Sequence, residues 1–361
     1  MIPRATRQRP LLALLQALAQ GHASVPWDQW SDAHLHWAVE TGFGPFLFQL
    51  LHSQPDAVAS AHWPVLHGAH VTAQFLSGEQ LDALEELLDA GAGQLPPVTL
   101  LKGISICEQY YPAPHLRPMR DLDILVDEAA HPTVEALLRT LGYCQRSQSP
   151  AAFYDTHHHS MPFFHPQRGV WIEVHRDLFP PTSRLGQDPV FSRAHVATQC
   201  CPAMFRGHTV WRLSAELQLI YIAVHWAQSW KPLGGMIAMV DTIYLLRQTA
   251  TTLDWTRITA WLDGSVAAPH VFLLLTYLAG HQVIALDPQV LQRLGGRPGV
   301  VGALNVRLLH AMVDRYVVDG RPAGPFLRLL SLLRVWDSLL VPGSTLSNLG
   351  RACLRVLVPA R

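Results

Sequence analysis

Three acidic residues and one lysine in this chain are spaced to handle a cation bound to phosphate. Asp121 and Asp123 flank Leu122 inside an apolar run that continues to Val126. In an extended strand, residues i and i+2 point to the same face. The two carboxylates therefore project together, while Leu122, Ile124 and Val126 turn to a core. Paired carboxylates repel, and the pairing makes sense when a cation sits between them. Oxygen donors of this kind suit Mg²⁺ or Mn²⁺. A third acid stands in Trp171-Ile172-Glu173-Val174-His175. There Ile172 and Val174 face one way, and Trp171, Glu173 and His175 the other. If that strand neighbours the Asp121 strand, Glu173 completes a cluster of three metal-binding, catalytic carboxylates. Two ions about 3.5–4 Å apart can bridge such a set and hold a triphosphate for in-line displacement.

The other half of the site would hold the nucleotide. Lysine occurs twice in the chain, at 102 and 231, and Lys102 directly precedes Gly103 at the end of an apolar run. Glycine lets a phosphate approach the backbone, and a helix start supplies free N–H groups. Ser105 follows in the first turn of that helix. Arg117 and Arg120, just before Asp121, can neutralise phosphate or pair with the acids. His175, beside Glu173, is the best histidine for a supporting role at the nucleotide.

The elements that must position these residues are short. Pro97–Leu101 reads as a buried strand and Ile104–Tyr111 as a helix, stopped by Pro112-Ala113-Pro114. Leu122–Val126 is the next strand. Pro132–Leu141 reads as a helix closed by Gly142. Ser160–Phe164 and Val170–His175 read as strands joined at Pro166-Gln167-Arg168-Gly169, a hairpin signal. The block 95–180 is thus a small α+β unit with a mixed sheet, inside a catalytic core assigned to 95–213. Residues 1–94 read as a helical region, with a pair of helices broken at Gly42 and Gly44 and a clear amphipathic helix at 79–88. Residues 214–361 read as a C-terminal helical domain, with helices at 236–248, 255–263, 269–280 and 300–317. The expected fold class is α+β, a small mixed-sheet core flanked by all-helical regions.

Composition narrows the partners. Apolar residues make up 49% of the 361 and charged residues 15%, which describes a well-buried globular chain. The formal net charge is zero, so nothing global favours nucleic acid or a membrane surface. The five cysteines fit no zinc spacing and read as reduced thiols of a cytoplasmic protein. Arg4, Arg7 and Arg9 before Leu11–Leu15 imitate a signal peptide, but Gln16 and Gln20 interrupt the run and an amphipathic helix fits better. No run reaches the length of a membrane span. The tail from Pro325 to Arg361 mixes Leu and Val with Arg, the pattern of a solvated face or of a peripheral membrane or protein contact.

Leu101-Lys102-Gly103, then Tyr110-Tyr111, Arg117-x-x-x-Asp121-x-Asp123 and Glu173-Val174-His175, resembles the polymerase-beta-type nucleotidyltransferase superfamily. More narrowly, the chain resembles the bacterial uncharacterised nucleotidyltransferase family. The likeness extends to Trp37–Leu51, to Leu217 through His225 to Asp241, and to Leu253-Asp254-Trp255. It implies magnesium- or manganese-dependent transfer of a nucleoside monophosphate from an NTP such as ATP, with release of pyrophosphate. It implies metal roles for Asp121, Asp123 and Glu173 and phosphate contact at Gly103. Two departures stand out. The usual Gly-Ser or Gly-Gly pair is here Gly103-Ile104, and the third acid is glutamate where aspartate is common. The acceptor is left open between a small molecule, a protein and an RNA.

His157-His158-His159, with His165 and His175, invites a zinc reading. Adjacent histidines on a strand alternate faces, so at most His157 and His159 would share one metal, and this geometry argues against zinc. Two competing functions remain: a non-catalytic binding protein that keeps the fold, and an Asp-x-Asp glycosyltransferase. The second would want a longer nucleotide-binding α/β region before the Asp-x-Asp.

Overall fold

The structure is a computed structural model and describes residues 10–21, 30–228, 232–295 and 303–318. The Leu/Arg tail from Pro325 onward lies outside the described residues. The chain is α+β, with helices at both ends and one mixed sheet between them. It divides into two compact units.

The unit of residues 42–49 and 61–218 holds seven strands. They are β1 (Thr99–Leu101), β2 (Leu122–Leu125), β3 (Cys144–Gln145), β4 (Phe163–His165), β5 (Val170–His175), β6 (Cys200–Phe205) and β7 (His208–Leu213). Their order across the sheet is β3-β4-β5-β2-β1-β7-β6. β2 runs antiparallel to β1 and parallel to β5, while β1 runs parallel to β7. Leu122, Ile124, Ile172 and Val174 are all fully buried. They pack in one core with Leu84 and Leu87 of the helix Trp63–Ala90 and with Val134 and Leu138 of the helix His131–Thr140. Each such side chain contributes about 1.5–3 kcal/mol by leaving water. A one-residue slip of β2 would turn Asp123 into this core, so burial fixes the register.

Three boundaries differ from the sequence reading, each for a physical reason. The helix after β1 begins at Lys102, not Ile104, because Lys102 takes φ +43° and turns the chain without a connecting loop. The strand expected at 160–164 is Phe163–His165. Ser160 instead bonds across to β5 through Ser160 N–H to Val174 C=O at 2.9 Å. The sheet also extends past 180, through the hairpin β6–β7. Its two turn residues, Arg206 and Gly207, have φ +46° and +90°, the positive-φ pair of a tight hairpin. Pro202 is tolerated because β6 is an edge strand.

The second unit comprises residues 1–41, 50–60 and 219–361 and is helical where described. The helix Pro10–Gln20 buries Leu11, Leu14, Leu15 and Leu18, as its spacing predicts. Arg247 Nη1 donates to Leu18 C=O at 2.7 Å, beside the Gly21 N–H bond to the same carbonyl at the end of that helix. No described helix is long and apolar enough to cross a membrane. Cys107, Cys144, Cys200 and Cys201 are free thiols; Cys353 lies outside the described residues.

Candidate active site

Strand register assembles the acids. Leu101 of β1 stands opposite Asp123 of β2, and Asp123 stands opposite Glu173 of β5. With Leu122, Ile124, Ile172 and Val174 in the core, Asp123, Glu173 and His175 share the other face. Asp123 is 1% exposed, and a buried carboxylate must be paired. Lys102 Nζ lies 2.7 Å from Asp123 Oδ1, and His175 Nε2 lies 2.8 Å from the same oxygen. Glu173 Oε2 is 3.6 Å from His175 Nε2, 3.7 Å from His159 Nε2 and 4.0 Å from Lys102 Nζ.

Lys102 reaches Asp123 because of its backbone. A non-glycine residue at φ +43° is held there against about 1–3 kcal/mol of strain. The turn directs its side chain along the sheet face to the next strand.

The charges of these groups shift together. Burial alone would raise the pKa of Asp123, but the Lys102 ammonium and the His175 hydrogen bond hold it far below the usual carboxylate range. Burial also acts to raise Glu173, yet the His175 hydrogen bond leaves it lowered. Burial and the Lys102 charge work against protonation of His175; hydrogen bonds to Asp123 and Glu173 overcome them and raise its pKa. Asp121, half-buried just before β2, is pushed up to about 7 by burial and then by the charges of Asp123 and Glu173. Lys102 and His175 thus leave the negative potential under-compensated at Asp121. A hard divalent cation fits this face: its donors are carboxylate oxygens, and its potential calls for added positive charge.

The structure brings together Asp123, Glu173 and His175, one ligand atom from each lying within 4.8 Å of the others. Asp121 is outside that tightest group. Gly103 is buried, and a Cβ there would meet Arg117 Nη1 at 2.7 Å and Met119 Cγ at 2.8 Å. The close approach it permits within the fold is therefore that of Arg117 and Met119. Ser105 is fully buried, and its hydroxyl accepts from Gln109 Nε2 at 2.9 Å. Arg212 Nη1 donates to Ser105 C=O at 3.2 Å, and Arg212 Nη2 lies 2.8 Å from Glu108. Ser105 is thus tied into the base of its helix. Arg120 is exposed.

Two contacts escaped the sequence reading. Lys102 pairs with Asp123, a contact set by its left-handed turn. His159 meets Glu173 because its segment is bridged to β5, with His159 opposite His175.

With this geometry in place, comparison with known families is decisive. A family model described as uncharacterised nucleotidyltransferase matches residues 28–280. The chain belongs to that family. No curated protein and no solved structure matches it. The match spans every described strand of the nucleotidyltransferase, including the hairpin β6–β7.

The histidines correct an expectation. Residues 157–159 are not a regular strand, and their side chains do not separate onto two faces. One ring nitrogen from each of His157, His158 and His159 lies within 4.8 Å of the others. Burial depresses all three pKa values, that of His157 to about 4.

Proposed function

We propose that this nucleotidyltransferase moves a nucleoside monophosphate from an NTP to an acceptor hydroxyl, releasing pyrophosphate, with Mg²⁺ or Mn²⁺ as cofactor. The observation that carries the reading is the register of Asp123 with Glu173 on parallel neighbours, with Lys102 against both. Asp121, Asp123 and Glu173 would hold the metal, which when bound supplies charge neutralisation for the triphosphate. The protein's own groups do the rest. His175 donates from Nε2 to Asp123 and fixes the orientation of that carboxylate. Lys102 offers an ammonium on the edge of the cluster, placed to pass from Asp123 to a phosphate oxygen. Arg117, packed at Gly103, and exposed Arg120 supply further positive charge next to Asp121 in sequence. Phosphoryl transfer asks mainly for positioning and charge stabilisation, and this set is built for that.

The test is incubation with each α-³²P-labelled NTP, with Mg²⁺ or Mn²⁺ and host lysate fractions as acceptor source. Label should enter one acceptor class, with pyrophosphate released. A binding protein that merely keeps the fold gives the opposite result, NTP and metal bound without pyrophosphate. That outcome, for all four NTPs and both metals, overturns the catalytic reading.

A further inference from the structure

We propose that His157, His158 and His159 form a second cation site, selective for a zinc-class transition ion and adjoining the carboxylate site at His159 and Glu173. Three features of the structure support it.

The first is convergence. The rings lie with centroids 4.2 Å (157 to 158), 4.3 Å (157 to 159) and 4.8 Å (158 to 159) apart. A tetrahedral zinc with Zn–N bonds of about 2.0–2.1 Å holds its nitrogens about 3.3 Å apart. Ring nitrogens already within 4.8 Å need only small side-chain rotations to reach that spacing.

The second is a rigid platform. Arg176 N–H donates to His158 C=O at 2.8 Å, and Ser160 N–H donates to Val174 C=O at 2.9 Å. These bonds fasten the segment to the end of β5. His159 Nδ1 pairs with Ser160 C=O at 2.7 Å. A ring nitrogen held by a backbone carbonyl leaves the other to face a metal, the usual way a protein sets a ligand tautomer; in His159 that nitrogen, Nε2, also lies 3.7 Å from Glu173.

The third is unmet need. Nδ1 of His157 and Nδ1 of His158 are both shut off from solvent with no hydrogen-bond partner. Such atoms are costly and call for an explanation, of which an ion is one.

The ligand chemistry separates this site from its neighbour. Imidazole suits zinc, cobalt, nickel and copper, whereas carboxylates suit magnesium and manganese. Three histidines with one position left open are the pattern of zinc sites that keep an exchangeable ligand.

The experiment uses untagged full-length protein, stripped with a chelator and titrated with Co²⁺ in the presence of millimolar Mg²⁺. One equivalent should bind with a visible ligand-field spectrum, and Zn²⁺ should displace it. His157→Asn and His158→Asn should each weaken Co²⁺ binding by at least about tenfold, equivalent to about 1.4 kcal/mol. Asp123→Asn, which touches none of the three histidines, should keep the spectrum. Zinc X-ray absorption on the wild type, which needs no variant to fold, should report a nitrogen-dominated shell. Three results would each overturn the proposal: no saturable equivalent, a spectrum lost in Asp123→Asn but kept in the histidine variants, or an oxygen-only shell. Because no NTP is present, failure here leaves the transfer assay untouched.

Discussion

The carboxylate face of β2 and β5 and the histidine segment 157–159 are neighbours built on opposite terms. The first is charged, and its two strand carboxylates are answered by neighbours: Lys102 and His175 on Asp123, His175 and His159 near Glu173. The second is a cluster of imidazoles that burial keeps from protonating, with two ring nitrogens unanswered. The first is placed by strand alternation, a local rule. The second is placed by backbone bonds to residues at the end of β5, which no local rule anticipates. Two cation preferences can thus lie side by side, because the donor atoms differ even though both groups lie against β5.

The largest effect expected from breaking this contrast is on transfer. Asp123→Asn should cut NMP transfer by about a hundred- to a thousandfold or more, the scale seen when a group stabilising transition-state charge is removed. Cooperative melting should survive, since the core residues of β2 are untouched. Near-wild-type turnover with saturating Mg²⁺ would end the metal-ligand assignment. Next in size is Lys102→Ala. It leaves a buried carboxylate with one partner fewer, which should cost about 1–3 kcal/mol of unfolding free energy without metal. Denaturant melts check this, and Mg²⁺ should recover part of the loss by supplying positive charge to Asp123.

The Asp121 carboxyl provides a pH-dependent test. Its pKa is raised to about 7 from an ordinary 3.8. Between those values the folded protein holds a proton that the unfolded chain has released, so this group lowers stability as pH rises from about 4 to 7. Asp121→Asn removes that term. The variant's advantage in apo melting temperature over wild type should therefore grow across this window and level off above it. A gain of roughly 2–4 °C corresponds to about 1 kcal/mol, and Mg²⁺ should shrink it by stabilising the wild type. A difference that stays flat with pH would show that neither burial nor its neighbours' charge raises the Asp121 carboxyl.

The smallest expected effect separates the backbone of residue 102 from its ammonium. Lys102→Gly and Lys102→Ala both lose the charge, but glycine accepts φ +43° without strain. The glycine variant should be the more stable of the two by about 1 kcal/mol. Equal stability would mean that the left-handed turn carries no strain.

Much of this arrangement follows from short stretches of sequence. The alternation of Leu122 and Ile124 with Asp121 and Asp123, and of Ile172 and Val174 with Glu173 and His175, makes two strands and assigns their faces. That is legible because side-chain direction in a strand depends only on position parity. The helices at Pro10–Gln20 and His131–Thr140 are legible for a similar reason, through spacing and proline placement. The hairpin β6–β7 has a local signal too, the Arg206-Gly207 pair of its turn.

Tertiary structure alone decided the rest. That β5 lies beside β2, parallel and with Glu173 opposite Asp123, depends on pairing across about fifty residues of chain, which no local pattern encodes. That Lys102 turns onto Asp123, and that Arg117 fills the space beside Gly103, depends on which side chains those pairings bring near. The three histidines converge because their segment gives up regular strand alternation to bond with residues 174 and 176. The sequence by itself thus determined which residues face which way within each strand, because parity is local. Which of those faces meet, and what charge each group then carries, was decided only when packing chose the neighbours, because burial and Coulomb interactions act through space.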